Sequence, residues 1–395
     1  MNMYMKRLIV ISVIFALVMG TAFAVDVGGT VTGSVNVLEG DNVKDSKITS
    51  SAAMNRIRLE GSGENEDGTF GGWIRAEAGS IDFSFGGDGE EGEGGEGEKE
   101  DPFISLGGGF AGYAWWKPID QLKMWIGSNG GDGFFGKDGY SRWMFYQTVG
   151  DTAVANPGNA WGGPPAQGYT FSGAFFGGNG GNAFRATISP AEIVDINLEI
   201  PFFNGGEVGD VLGDLVAQLD LKLDFGNIAV TYTGDSSDAT NGKAYVFFGL
   251  GAVENLDLAI GIGLTLPEDE EGQPIYAGIA AKYQVNDAFG LKARFLFGGA
   301  GEDKETGIVF DILPYYAFND SVTGFFSAGV TMTAPDGDDA VIGFHINPYV
   351  QVGSEWGPKF LAGLKVWTDG STGGGDKGDD TKIQWSVPIA ISVGF

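Results

Sequence analysis

The sequence predicts an all-β fold, a transmembrane antiparallel β-barrel of about 16 to 20 strands with short periplasmic turns and long extracellular loops. Three observations carry the prediction. Apolar residues recur at every second position over long stretches, tight connections alternate with long ones, and the chain opens on an export leader.

The period-two pattern is clearest in the last segment. Ile383, Trp385, Val387, Ile389, Ile391, Val393 and Phe395 alternate with Gln384, Ser386, Pro388, Ala390, Ser392 and Gly394, which puts every large apolar group on one face. The same spacing runs through Leu256 to Leu266, Val322 to Met332, Ile342 to Val352, Leu291 to Phe297, Ile275 to Tyr283, Val194 to Ile200, Leu219 to Phe225, and Val25 to Val37. A soluble β-sandwich also alternates, but its strands typically have about five or six residues, whereas a tilted membrane strand needs about 9 to 11. These segments have the membrane length.

In the C-terminal half, tight connections near Glu254-Asn255, Asn286-Asp287, Asn319-Asp320 and Trp356-Gly357 alternate with PEDEEGQP (267 to 274), GGAGEDKETG (298 to 307), TAPDGDDA (333 to 340) and TDGSTGGGDKGDDTK (368 to 382). Short turns on one rim and long loops on the other are the habit of bacterial barrels. Aromatic girdles are expected at the strand ends, from Tyr315, Tyr316, Phe318, Phe202, Phe203, Trp356, Trp367, Trp115 and Trp116.

Residues 1–24 read as a cleavable secretory leader: Lys6 and Arg7, an apolar run from Leu8 to Met19, then Ala22-Phe23-Ala24. The run is shorter than the roughly 20 apolar residues of a spanning helix. Residues 25–395 then form one barrel domain, with long loops expected at 86–102, 128–168 and 368–382. The 69 Gly oppose long helices, since each interior Gly costs about 1 kcal/mol relative to Ala. The 29 Phe, 12 Tyr and 9 Trp exceed what a disordered acidic chain keeps.

A formal net charge of −29 disfavours nucleic acid as a partner. With no Cys there is no disulfide, thiolate metal site or Cys nucleophile. No cofactor or metal is expected. Gly131 to Lys137 reads G-x-x-x-x-G-K, but Asp138 stands where a phosphate cradle needs Ser or Thr, and no strand-to-helix unit surrounds it. The acidic run from 86 to 101 lacks ordered ligand spacing and reads as a solvated, self-repelling loop. His345 is the sole histidine and no G-x-S-x-G accompanies it, so a pore-wall residue is the better reading than a hydrolytic base, and no enzyme is expected.

If the apolar positions face lipid, their alternates face the lumen. The expected lining is Arg56, Arg58, Glu60, Arg75, Glu77, Lys123, Arg185, Lys292, Arg294 and His345, with Asp220, Lys222, Asp224, Lys282 and Asp311 beside them. That makes a charged, water-filled interior of mixed sign. Arg56, Arg58 and Arg75 with Glu60 and Glu77 are expected to form a ladder that either focuses the field on permeating ions or stiffens the wall.

The terminal ten residues, apolar or aromatic at alternate places with Phe395 last, resemble the C-terminal recognition strand of bacterial outer-membrane porins. The acidic, Gly-rich style also resembles the outer-sheath porins of spirochaetes. The resemblance implies a passive channel for small hydrophilic solutes and ions in the bacterial outer membrane. It further implies that the barrel-assembly machinery reads Ile389, Ile391, Val393 and Phe395, that outer-membrane lipid surrounds the wall, and that a homotrimer is one assembly open to it. The alternative is a surface adhesin or structural barrel that binds host or matrix components through its acidic loops.

Overall fold

The computed structural model describes residues 24–41, 49–84, 103–128, 183–202, 213–234, 242–266, 275–298, 306–334, 340–353, 358–368 and 383–394. Leader residues 1–23, the expected loop at 86–102, residues 129–168 of the loop expected at 128–168, residues 369–382 of the loop expected at 368–382, and Phe395 lie outside the described residues. No described helix is long and apolar enough to cross a membrane. Crossing is by strands.

The first strands are β1 (Ala24–Asp41), β2 (Thr49–Glu64), β3 (Phe70–Ser84), β4 (Phe103–Ile119), β5 (Leu122–Ser128) and β6 (Ala183–Ala191). There follow β7 (Val194–Pro201), β8 (Val216–Leu223), β9 (Gly226–Thr233), β10 (Gly242–Val253), β11 (Leu256–Leu266), β12 (Ile275–Gln284) and β13 (Phe289–Gly298). The chain ends with β14 (Thr306–Asn319), β15 (Val322–Ala334), β16 (Val341–Gly353), β17 (Lys359–Gly363), β18 (Lys365–Thr368) and β19 (Ile383–Gly394). Apart from β17 and β18, which each pair with β16 and β19, every strand pairs antiparallel with its chain neighbours, and β1 pairs with β19 as well as β2, so the sheet closes on itself. β17 and β18 both lie between β16 and β19 and are two pieces of one crossing interrupted at Leu364. Among the described residues, nineteen segments therefore make eighteen crossings, inside the expected range and even, as termini on one rim require.

Connections alternate as the sequence predicts. On one rim the turns are two to five residues long, among them Asp120–Gln121, Glu192–Ile193, Glu254–Asn255 and Asp320–Ser321. Asparagine shapes several of them. The Asn286 Oδ1 accepts from the amides of Ala288 at 3.0 Å and Phe289 at 2.9 Å, and the Asn65 Oδ1 accepts from those of Thr69 and Phe70. Asn255, the second turn residue, takes φ +65°, a left-handed conformation that Asn tolerates better than most side chains.

Side chains alternate across the wall with the pleat. From β6 to β16 the outward positions carry no charged residue, and large apolar groups stand exposed along them, Val246, Ile262, Phe295, Phe310, Val330 and Phe344 among them. Only hydrocarbon suits such a belt. The segment expected as one strand from Leu219 to Phe225 ends instead at Leu223, where Asp224 and Phe225 form the turn, so Asp224 is a rim residue.

The girdle expectation needs correction. Trp116, Phe202, Tyr316 and Phe318 are exposed on the outside. Trp115, Tyr315 and Trp367 have the opposite parity and face inward, because the pleat and not the residue type decides the direction. Phe203 and Trp356 lie outside the described residues.

Ile262, 51% exposed at the middle of β11, tests the facing. Ile262→Arg is expected to destabilise the barrel by about 2–4 kcal/mol, and Ile262→Leu by less than about 1.5 kcal/mol, read as urea unfolding in lipid vesicles.

Candidate functional site

Charged residues occupy positions of one parity along the strands, and several of them pair across neighbouring strands. Arg58 stands opposite Glu77, and Glu60 opposite Arg75. The Arg75 Nε donates to Glu60 Oε1 at 2.6 Å, and Arg58 Nη1 lies 3.7 Å from the same oxygen. Arg56 is the register partner of Thr32 on β1.

Next around the ring, aromatic residues the sequence reading did not assign to the interior line β3, β4 and β5. Trp73 and Tyr113 are cross-strand partners with rings stacked at 5.4 Å, and Trp115 is partnered with Trp125. The Arg75 guanidinium sits 4.7 Å above the Trp73 ring. The Lys123 ammonium sits 4.1 Å from the Trp115 centroid and 5.0 Å from that of Trp125. All four aromatic side chains and Lys123 are half-buried.

Farther round, polar side chains bond one another. Arg185 donates through Nε to Glu199 Oε2 at 2.9 Å and through Nη1 to the Gly127 carbonyl at 2.8 Å. Thr187 bonds Asn197, the Asn197 amide donates to Asp220 Oδ2, the Gln218 amide donates to the same carboxylate, and the Thr231 hydroxyl donates to Gln218 Oε1. Lys222 pairs with Asp195 at 2.5 Å. The opposite side carries Arg294 on Asp311, with Nε at 2.8 Å and Nη2 at 2.6 Å from Oδ2. Lys292 lies on the same strand, half-buried and opposite Lys282.

His345 is on the inner wall, as expected, and Ser327 and Asp311 come close to it. The Ser327 Oγ is 3.4 Å from His345 Nε2, and Asp311 Oδ1 is 3.8 Å from that same nitrogen. A hydrolytic triad needs serine and carboxylate on different ring nitrogens. Here both approach one, while His345 Nδ1 has no hydrogen-bond partner. Gly329 sits between the two side chains, where a Cβ would lie 2.2 Å from Asp311 Oδ1 and 2.3 Å from His345 Cε1.

The interior departs from a uniformly wet cylinder. Arg185 and Glu199 are 1% and 0% exposed, and Asp311 and His345 are likewise buried. Apolar groups share the inner face: Tyr245, Phe247, Leu296, Val309 and Leu313 are buried there, and Leu313, Tyr349, Leu361 and Ala390 pack together with Phe325 stacked on Tyr349 at 4.6 Å. Lateral packing explains the mixture, since inner side chains of neighbouring strands are only about 5 Å apart and cover one another. The missed residues, Trp73, Trp125, Glu199, Ser327 and Lys365, could be found from strand parity alone.

No family model matches the chain, and no curated protein matches it. Similar solved structures are barrels. The outer-membrane expressed OmpT of Vibrio cholerae is 12% identical, with 95% of this chain and 98% of that one covered at a TM-score of 0.44. A triple mutant of the Rhodopseudomonas blastica porin is 14% identical, with 94% and 100% covered at 0.47. A trimer form of the Vibrio protein is 13% identical, with 95% and 100% covered at 0.41.

Glu199 is the counter-ion of a buried arginine, so its loss leaves a charge uncompensated. Glu199→Ala is expected to cost about 3–5 kcal/mol in the denaturation midpoint of the refolded barrel. Glu199→Gln, which keeps an oxygen acceptor for Arg185, is expected to fall between that variant and the native chain.

Proposed function

We propose that this barrel is an outer-membrane porin, a passive channel for small hydrophilic solutes and ions. The observation that carries the reading is the division of the wall, with uncharged apolar side chains outside from β6 to β16 and ionised residues confined to the inner face. A closed ring leaves no strand edge in hydrocarbon, and charge on the inner side of such a ring is available to what passes through or binds within it. Arg56, Arg58, Glu60, Arg75, Glu77, Lys123, Arg185, Lys292, Arg294 and His345 are then its pore-lining residues. Solute size and sign set the flux without a chemical step, and neither cofactor nor metal takes part.

In this reading the leader delivers the chain to the periplasm, and the barrel-assembly machinery engages β19. Ile391 and Val393 are exposed on its outer face, with Ile389 half-buried two residues before them and Phe395 beyond the described residues. Outer-membrane lipid surrounds the wall, and a homotrimer is compatible with it.

One observation favours a second reading. Glu199, Asp311 and His345 are buried on the inner face, which is what a closed lumen would produce, and a closed barrel would act as a structural element or adhesin through its long acidic loops. Conductance separates the two. Purified barrel added to a planar lipid bilayer is expected to give stepwise openings of about nanosiemens size, as a wide aqueous pore would. A silent bilayer, with folded barrel verified on gels by its heat-dependent migration, would favour the structural role.

A further inference from the structure

Large apolar side chains cover the outer wall, but towards the short-turn rim of β13 to β17 they surround a groove of about 480 Å³. Parity places it on the outside. Phe289 and Gly324 are register partners of Tyr316, Pro348 is that of Phe326, and Tyr316, Phe318 and Phe326 are all exposed outward. Among the described residues that line it, none is charged.

The hollow is made by short side chains set among long ones. Gly324 stands in register between Tyr316 and Val350, and Ala362 follows Val350 in the same row. Tyr316 and Phe318 meet edge to face at 5.2 Å and rise beside them, and a Cβ at Gly324 would lie 3.0 Å from the Phe318 ring. Pro348 faces Phe326 from β16, and the register puts Pro314 on the other side of Phe326. A proline ring folds back on its own backbone, so both stand lower than the aromatic rings around them.

These prolines come at a cost. Proline inside a sheet removes a ladder hydrogen bond, and it is ordinarily confined to edges, strand starts and bulges. The β14–β15 pairing is interrupted between Ile312–Ala328 and Tyr315–Phe325, where Pro314 lies. The crossing beside β16 is interrupted at Leu364, whose amide donates to the Pro348 carbonyl at 2.9 Å and to whose own carbonyl Pro348 has no N–H to return. In hydrocarbon such a loss weighs more than in water, and both faults border this one groove.

The surroundings select the occupant. The groove is continuous with the uncharged outer belt, whose neighbour is hydrocarbon. Lipid tails are as apolar as that wall, so no hydrophobic gain favours one place over another, and only packing holds a chain still. Against a convex wall a tail is touched along one flank. Within the groove it is touched on both, which multiplies its dispersion contacts. The short-turn rim is periplasmic in the porin reading, which puts the groove at the depth of the periplasmic leaflet.

We propose that this groove retains one acyl chain of a phospholipid from the periplasmic leaflet of the outer membrane. The proposal rests on the membrane placement of the barrel and requires no conduction.

The test is native mass spectrometry of the refolded full-length barrel, released from detergent mixed with dipalmitoyl phosphatidylethanolamine. One lipid is expected to stay on each chain after the detergent is stripped, and dihexanoyl phosphatidylethanolamine, with the same headgroup and short tails, is expected to leave. Ala362→Trp, which fills the hollow, should lower the retained fraction about fivefold or more, and Phe326→Ala, which removes a wall, should lower it less. Ala277→Trp should change nothing, because Ala277 faces outward beside Ile262, away from the groove. Heat-dependent gel migration and insertion into vesicles verify that each variant is folded. An inserted barrel that retains no lipid, retains both lipids alike, or is unmoved by Ala362→Trp and Phe326→Ala would overturn the proposal. So would a lipid-free oligomer that Ala362→Trp separates, which would give the groove to a second copy of the chain. A native barrel that never inserts into vesicles would overturn the membrane reading and this proposal with it, whereas one that inserts and retains lipid without conducting would overturn the channel alone.

Discussion

The structure depends on one contact, the pairing of the first strand with the last. β1 meets β19 from Thr30 opposite Gly394 to Asp41 opposite Gln384, with one shift in register between Asn36 and Leu38. In water an unpaired strand edge is tolerable. In hydrocarbon each unmatched amide and carbonyl costs several kcal/mol, so a sheet that failed to close would have no stable place in the membrane.

Closure then dictates the division of side chains. The pleat sends alternate residues to opposite sides, and one side is solvated by lipid, which admits no charge cheaply. Every ionised residue of the strands from β6 to β16 is therefore turned inward, where it must find partners. Arg185 finds Glu199, Arg294 finds Asp311, and Lys222 finds Asp195. Once formed, the two buried pairs, Arg185 with Glu199 and Arg294 with Asp311, hold their register, because removing either member strands the other. Cations also rest on aromatic rings, Lys123 on Trp115 and Lys365 on Trp367.

Much of this was legible in the sequence, for a physical reason. Positions such as Ile260, Ile262, Phe310 and Val330 face lipid, which accepts apolar residues alone, so their alternation is clean and the strands declare themselves. The expected charged residues on described strands fell on the inner parity for the same reason. What the reading misplaced were aromatics. Tyr315, Trp115 and Trp367 were assigned to the interfacial belt because aromatic rings are common there, yet rings also suit the interior, and only the pleat distinguishes the two. The degree of inner burial was hidden too: Glu199 and Phe247 look like any lumenal alternates, and their burial follows from three-dimensional proximity of neighbouring strands that no local pattern records. Asp224 moved to the rim because turn geometry, not hydrophobic period, sets where β8 ends.

Closure itself can be measured directly, because the chain has no cysteine of its own. Ser34 and Ala390 are register partners across the β1–β19 seam, and Ala259 and Ala280 are partners within a consecutive hairpin. Directly opposed residues in antiparallel strands place their Cα atoms about 4.5–5.5 Å apart, within disulfide reach. A closed ring predicts that Ser34→Cys with Ala390→Cys oxidises to an intramolecular disulfide in membranes as readily as Ala259→Cys with Ala280→Cys. Cross-linking of the hairpin pair alone, with the seam pair remaining reduced, would contradict it.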